Sequence, residues 1–465
     1  MDTREFAERF LMELPFSPTA QQTALMAALS RFCTLMPAPD ACSVFILNGY
    51  AGTGKTSVVG ALVRTLRSVG APTVLLAPTG RAAKVFSAAA GAQAWTIHRR
   101  IYRMPTPGSD GYVAVNVNRT AGTVFIVDEA SMIGNSESEH SGSLLHDLLE
   151  HVFTGAPGCR LIFMGDTAQL PPVGCDTSPA MNPDTLRALG MKVSRAVITE
   201  TVRQAAGSAI LYNATRLRRE LTKEEPQPPV FRTARDVKAI SGIDLLDELS
   251  AAYAADGVDS TILITRSNRM ATAANRAIRN GVFFSEEELV RGERLMIAKN
   301  NYLWSESIKE LDFIANGDIA TVTEIHSTEQ FEGFRFADVT LYFPDRDVNV
   351  SCKVMLDTLS SDAASVEPQK LAMLYRSRLE AAGGSQRALK RDPHYNALQV
   401  KYAYAVTCHK AQGGQWKNVF VDTSALYSPG GEDSGPRELF RWLYTAFTRA
   451  TSTLTLVNAP DECLA

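Results

Sequence analysis

The feature that most constrains this chain is a run of eight residues, Gly49-Tyr-Ala-Gly-Thr-Gly-Lys55-Thr56, set directly after the apolar segment Val44-Phe-Ile-Leu47 and before a helical pattern. The spacing satisfies G-x-x-x-x-G-K-[ST]. In that pattern glycines let backbone N–H groups curl round a phosphate while the opening helix aims the positive end of its dipole at it. Such a loop needs a strand behind it and a helix ahead of it, so an α/β fold is expected from this point outward. Lys55 is expected to neutralise β/γ charge and Thr56 to ligate Mg2+, with Gly52, Thr53 and Gly54 supplying loop backbone. The competing reading is a glycine-rich turn that holds no nucleotide.

The same grammar recurs. Thr73-Val-Leu-Leu-Ala77, Thr123-Val-Phe-Ile-Val127 and Arg160-Leu-Ile-Phe-Met164 are short apolar runs, each followed by turn signals and a helical pattern. It returns at Ser260–Ile264, Asn418–Val421 and Leu454–Val457. Continuous apolar strands alternating with helices predict parallel sheets covered on both faces, here two of them. A chain of 465 residues is long enough for several cores. Two segments have another character. Residues 99–121 hold the alternating Tyr112–Asn118 after a Pro105-Thr-Pro-Gly108 turn, which predicts an inserted hairpin. Residues 316–357 alternate in three runs and predict a small inserted β-barrel, and Glu224-Glu-Pro-Gln-Pro-Pro229 reads as a surface linker.

Composition excludes several classes. With 45% hydrophobic and 21% charged residues, neither wholesale disorder nor a membrane protein is expected. The first residues mix charges of both signs, where a secretory signal needs a basic start and an apolar stretch, so the chain is expected in the cytoplasm. Seven scattered cysteines without C-x-x-C suggest reduced thiols rather than a disulfide frame or a zinc site. A net charge of -3 excludes binding of nucleic acid by bulk charge but leaves a local basic groove open.

Val124-Phe-Ile-Val-Asp128-Glu129 ends a buried strand in two carboxylates. One carboxylate on the metal and its neighbour free to polarise water is the division that phosphoryl transfer to water needs, so Asp128 is expected to hold Mg2+ and Glu129 to polarise the water; the competing reading is a pair of strand-end acids that solvate the sheet edge. His98, Arg99, Arg100, Tyr102 and Arg103 mix charge with an aromatic at the hairpin base, a combination suited to phosphates and stacked bases, or to a plain solvated turn. Met104, Pro105 and Pro107 would give the hairpin a stiff apolar tip. His140, His146 and His151 have spacings that put no pair on one helix turn, and they are read as surface histidines.

Gly165-Asp166-Thr-Ala-Gln169-Leu-Pro-Pro-Val173 resembles the third motif of superfamily 1 helicases, and its Leu-Pro-Pro-Val ending resembles the RecD/Dda branch, superfamily 1B. Other segments fall in that family's order over about residues 19–457. Thr19-Ala-Gln-Gln22 resembles the glutamine motif that reads adenine, with Gln22 first and Gln21 second as candidates. Ala77–Ala83 resembles motif Ia, Thr96-Ile-His98 motif Ib, Glu200–Gln204 motif IV, Tyr404–Gly413 motif V and Leu443–Ala450 motif VI.

The resemblance implies two RecA-like P-loop domains, 1A (1–98 and 122–190) and 2A (191–295 and 401–465), with a β-hairpin insertion 1B (99–121) and a small SH3-like β-rich insertion 2B (296–400). It implies ATP in a cleft between them, with Gln169 on the γ-phosphate, Gly413 at the nucleotide, and Arg203 and Arg449 brought in from 2A. Strand contacts would come from Pro78, Thr79, His98 and Tyr102 on one domain and Thr407, His409 and Lys410 on the other. The function it implies is an ATP-dependent DNA helicase moving 5'-to-3' on single-stranded DNA and opening forks, acting as a monomer beside replication or repair proteins. The alternative is a DNA-stimulated ATPase that remodels nucleoprotein without separating strands.

Overall fold

A computed structural model describes residues 2–35, 41–103, 114–134, 137–138, 141–201, 207–308, 311, 313–363, 366–427 and 435–465. The chain divides into two compact units, Met1–Pro229 with Ser434–Thr448, and Val230–Asp433 with Arg449–Ala465. The proline-rich segment expected to be a linker ends at this division.

The first unit is built on six strands in the order Lys192–Ile198, Ser43–Gly49, Arg160–Gly165, Val124–Val127, Thr73–Ala77 and Ala94–Thr96. All neighbours are parallel. Their continuous apolar sequences follow from having two dry faces. Successive side chains of a strand point to opposite sides. Accordingly Phe45 and Leu47 enter one core with Val124, Ile126, Ile162 and Met164, while Val44 and Ile46 enter the other with Phe125, Val127, Leu161 and Phe163. Helices Ala20–Thr34, Lys55–Ser68 and Gly80–Ala90 contribute to the first core and Leu144–Phe153 to the second.

Two of the expected domain assignments change. Residues 191–229 were assigned from sequence to domain 2A, but Lys192–Ile198 pairs along its whole length with Ser43–Gly49 and so extends the first sheet. Its residues are mostly exposed, as suits an edge strand, which is why it lacks the apolar run of the central strands. Helix Pro436–Phe447, also assigned to 2A, packs on helix Ala209–Leu221 within the first unit.

Of the expected hairpin, Tyr102–Arg103 pairs antiparallel with Ala114–Val115. The tip, Met104, Pro105 and Pro107 included, lies outside the described residues. His151 is a core residue, not a surface one: it is buried and its Nδ1 meets the Asn116 carbonyl. No disulfide joins any of the seven cysteines, and no described helix is long and apolar enough to cross a membrane.

The second unit holds a five-stranded parallel sheet in the order Val237–Ile240, Ala450–Val457, Trp416–Asp422, Thr261–Thr265 and Ala405–Thr407. Between the last two of these along the chain outward from Thr265, five strands close a barrel: Arg294–Ile297, Ile319–Phe331, Phe334–Phe343, Val348–Met355 and Leu398–Tyr402. The long hairpin within it turns at Glu332-Gly333, both at positive φ (50° and 79°), which matches the turn geometry that right-twisted strands favour. Barrel and sheet share one hydrophobic core, running from Leu263 and Phe420 to Val339, Val354 and Val400.

That joint also contains a buried ion pair. Arg279 meets Glu293 at 2.9–3.1 Å, Tyr404 donates to the same carboxylate at 3.0 Å, and the guanidinium lies over the Tyr402 ring. Removing one member strands the other charge in a dry place. Glu293→Ala is therefore expected to cost about 3–5 kcal/mol, read as a lowered denaturant midpoint, and a loss below ~1 kcal/mol would mean that Arg279 finds water.

Candidate active site

The first unit brings its candidate residues together by topology. Strands Ser43–Gly49, Arg160–Gly165 and Val124–Val127 are adjacent and parallel, and each hands the chain at its carboxyl end to a predicted site segment: the phosphate loop, Asp166–Gln169 and Asp128-Glu129. Ligands of open α/β sheets bind along this edge.

The loop is shaped for close approach. Gly52 and Gly54 take φ of 75° and 77°, and Gly54 directly precedes helix Lys55–Ser68. A Cβ on Gly49 would lie 2.5 Å from Lys55 Cγ and 2.7 Å from Ile198, so only glycine fits beneath the lysine. Lys55 Nζ donates to the carbonyls of Gly49 and Tyr50, which places the ammonium over the loop. Thr53 is buried and donates to the Tyr50 carbonyl at 2.7 Å, and Thr56 lies half-buried in the first helical turn.

Across the sheet edge, Asp128 Oδ1 accepts the Glu129 N–H at 2.7 Å. Glu129 itself sits at φ 51°, ψ 35°, a left-handed conformation that costs a non-glycine residue about 1–3 kcal/mol. The turn beyond it is held by Ser178 Oγ against the carbonyls of Ala130 and Ile133.

The Asp166–Gln169 segment is tied down at several points. Thr167 and Asn48 exchange two hydrogen bonds (2.9 and 3.2 Å), which joins the segment to the phosphate-loop strand. Asp166 is buried; its Oδ1 accepts the Ala168 N–H at 3.0 Å and its Oδ2 the Tyr444 hydroxyl at 2.5 Å. Tyr444 in turn accepts the Ala51 N–H at 2.9 Å. Gln169 is 6% exposed and its Oε1 has no partner among the described residues. A buried amide oxygen of that kind, beside a glycine cradle and a helix N-terminus, fits a site completed by a polar ligand. The residues present thus suit a nucleotide with its magnesium.

Sequence reasoning did not single out Tyr444 or Asn48. Tyr444 lies within the quoted motif VI, but nothing in its spacing shows which loop its hydroxyl reaches.

Gln22 is placed differently from what an adenine contact requires. It is 1% exposed, its Oε1 accepts the Thr19 N–H at 3.0 Å, and its Nε2 donates to the Thr53 carbonyl at 2.9 Å. It caps its helix and braces the phosphate loop from behind. Gln21 is the one at the surface, where its Oε1 accepts the N–H groups of Thr199 and Glu200.

In the second unit, Gly413 has φ 71°, and Arg449 is buried with Nη1 donating to the Gly414 carbonyl at 3.1 Å. Both precede neighbouring strands, Trp416–Asp422 and Ala450–Val457, so they share the amino edge of that sheet. Arg203 lies outside the described residues.

The candidate strand contacts are dispersed in role. Pro78 and Thr79 form the turn after strand Thr73–Ala77, where Thr79 Oγ1 caps the next helix by accepting the Ala82 N–H. Burial holds His98 below the usual histidine range, against a pull upward from Asp147, which disfavours a charge there for a phosphate. Tyr102 donates its hydroxyl to Asp147 at 2.7 Å and packs against the second core, so its ring is partly committed to the fold. Thr407 and Lys410 line a cavity of about 50 Å³ with Asn268, Thr272 and Lys401, too small for a nucleoside. Burial lowers both lysines, Lys401 to about 8, and Lys410 donates to Asn316. His409 is exposed.

An AAA domain family model matches residues 35–227, and a UvrD-like helicase C-terminal domain model matches residues 402–457. The chain is 29% identical over 269 residues to the ATP-dependent RecD2 DNA helicase of Deinococcus radiodurans, over 55% of this chain and 34% of that protein. It thus spans about a third of the length of that relative. It is 23% identical over 409 residues to the ATP-dependent DNA helicase dda of Enterobacteria phage T4, over 82% of this chain and 87% of that one. Among solved structures it is similar to a Pif1 helicase from Bacteroides in complex with ADP-AlF3 and single-stranded DNA, at 16% identity, with 97% of this chain and 95% of that chain covered and a TM-score of 0.48. A Pif1 helicase from Candida albicans gives 15% identity, 97% and 96% coverage and a TM-score of 0.46. The two family models, the RecD2 and Dda relatives and the motif order along the chain agree, and together they support a superfamily 1B helicase of the RecD/Dda-like group.

Proposed function

We propose that this chain is an ATP-dependent DNA helicase that travels 5'-to-3' on single-stranded DNA and separates duplex at forks. The observation that carries the reading is the course of one segment. Asp166–Gln169 is bonded to the phosphate loop through Tyr444 and to its strand through Asn48, while its continuation, Pro171-Pro-Val173, emerges at the surface with Val173 82% exposed. A small-molecule kinase has no use for a loop that leads from nucleotide to surface. A motor that couples phosphate chemistry to a polymer needs one.

Within this reading Lys55 and the loop N–H groups of Gly52, Thr53 and Gly54 hold the triphosphate, and Gln21 rather than Gln22 faces the base. Thr56 and Asp128 hold Mg2+, which when bound neutralises phosphate oxygens. Glu129 orients and deprotonates the attacking water, Gln169 meets the γ-phosphate, and Arg203 and Arg449 stabilise the charge that spreads over its oxygens. Pro78, Thr79, Thr407, His409 and Lys410 track the strand, the lysine supplying charge and the others shape. Met104, Pro105 and Pro107 split the fork.

Forked duplexes bearing either a 5' or a 3' tail test this. ATP-dependent strand release is expected from the 5'-tailed substrate alone, together with ATPase stimulated by single-stranded DNA. Replacing residues 104–110 by a glycine-serine turn should leave that ATPase nearly intact while unwinding collapses. ATPase stimulation by the wild-type chain without strand release from either fork would replace the helicase reading by that of a translocase.

A further inference from the structure

We infer that Tyr444 is a positioning residue for phosphate cleavage, holding the phosphate loop and the Gln169 segment in one register through a hydrogen-bond chain of fixed direction. The inference rests on the ATPase reading proposed above. Tyr444 is 1% exposed. Burial first, and the Asp166 carboxylate after it, push its phenol well above the ordinary range, so it carries its proton at every working pH. A phenol has one proton to give. The neighbouring carboxylate can only accept, so the proton goes to Asp166 at 2.5 Å, the length of a charge-assisted O–H···O⁻ bond. The oxygen is then left to accept the Ala51 N–H. The order Ala51 N–H, Tyr444 O–H, Asp166 carboxylate has no alternative tautomer, and movement at either end is felt at the other.

The next residue repeats the device. Thr445 gives its hydroxyl proton to the Arg441 carbonyl in its own helix at 2.7 Å, and its oxygen accepts the Leu170 N–H at 2.8 Å. Gln169 is thereby bracketed, with Asp166 held by Tyr444 on one side and Leu170 held by Thr445 on the other. Two further bonds seat the same helix on the first unit, from Arg441 to the Asp176 carbonyl at 2.7 Å and from Arg437 to the Lys223 carbonyl at 3.1 Å. The chain leaves this unit at Thr448, and the following residue, the first grouped with the second unit, is Arg449. The helix that sets Gln169 is therefore also the root of the segment that presents Arg449.

Triphosphate affinity is assigned to Lys55 and the N–H groups of Gly52, Thr53 and Gly54, whereas the Tyr444 hydroxyl meets the loop at Ala51. Loss of its hydroxyl should instead loosen Gln169 and slow the step that needs the γ-phosphate held. In Tyr444→Phe, kcat for DNA-stimulated ATP hydrolysis is expected to fall about tenfold or more while KM for ATP stays within about threefold. In a Gln169→Ala background the same change should cost kcat little more, because both act through one side chain. Without nucleotide, hydrogen exchange at the Ala51 amide should quicken in Tyr444→Phe.

Should Tyr444→Phe not fold, Thr445→Val must show the same separation of kcat from KM. An unchanged kcat, a KM that rises as much as kcat falls, or a full additional loss in the Gln169→Ala background overturns the proposal. A wild-type chain with no ATPase would instead overturn the function proposed above, and this inference with it. ATPase without unwinding leaves the inference standing.

Discussion

Lys55→Ala should weaken ATP binding by about 10- to 100-fold, whereas Glu129→Gln should bind ATP as the wild type does and lose about 10²–10⁴ in turnover. The two effects differ because the side chains serve different states. The Lys55 ammonium, poised over the Gly49 and Tyr50 carbonyls, meets phosphate charge that is present before reaction, and a charged hydrogen bond there is worth about 1.5–3 kcal/mol. On the proposed reading Glu129 meets a proton that leaves water only as the reaction proceeds, and a positioned base contributes on the scale given for turnover. Fluorescent-nucleotide titration and steady-state ATPase separate the two. Wild-type turnover in Glu129→Gln would return this carboxylate to a role in solvating the sheet edge.

Glu129 offers an independent sign. Its φ of 51° suits glycine, so Glu129→Gly should abolish turnover while keeping or raising the melting temperature. A strained glutamate where glycine would sit more easily supports the proposed role of its side chain in the chemistry.

What could be read from the sequence follows from the range of the forces involved. The phosphate loop is local: its glycines, lysine and flanking strand lie within a dozen residues, and the structure has the strand, loop and helix in that order. The central strands were legible because two dry faces demand unbroken apolar runs. Strand Lys192–Ile198 was misassigned because an edge strand carries polar residues, and nothing local reveals that its partner is Ser43–Gly49. Helix Pro436–Phe447 was misassigned because its neighbours along the chain lie in the second unit.

Two helix caps carry local signals of their own. Thr19-x-x-Gln22 fits the capping-box pattern S/T-x-x-E/Q, and the structure shows Gln22 engaged in that box, which leaves the adjacent Gln21 as the less buried of the two. Thr79, directly before a helical run, had the same local reading as a cap. The direction of the Tyr444 bond chain had no sequence signal, since it depends on the burial of Asp166 and on a contact between residues hundreds of positions apart.

Alanine at Arg449, or at Arg203, is expected to lower ATP turnover by about 10³, the scale on which a guanidinium stabilises the spreading charge of a phosphoryl-transfer transition state. Arg449 needs a control that separates chemistry from folding. It is buried and donates to the Gly414 carbonyl at 3.1 Å, so Arg449→Ala also strands a backbone acceptor and should cost about 1–3 kcal/mol of stability. Arg449→Lys keeps the charge and can still reach a carbonyl, but it lacks the planar fork that meets two phosphate oxygens together. Its stability should therefore stay close to wild type while turnover remains at least tenfold down. Affinity for single-stranded DNA should change little in either variant, because the strand candidates Thr407, His409 and Lys410 sit at the carboxyl end of strand Ala405–Thr407, whereas Arg449 precedes the amino end of Ala450–Val457. If the lysine variant recovers turnover and melting temperature together, or if both alanine variants lose less than tenfold, the arginines hold the fold and the γ-phosphate is stabilised from elsewhere.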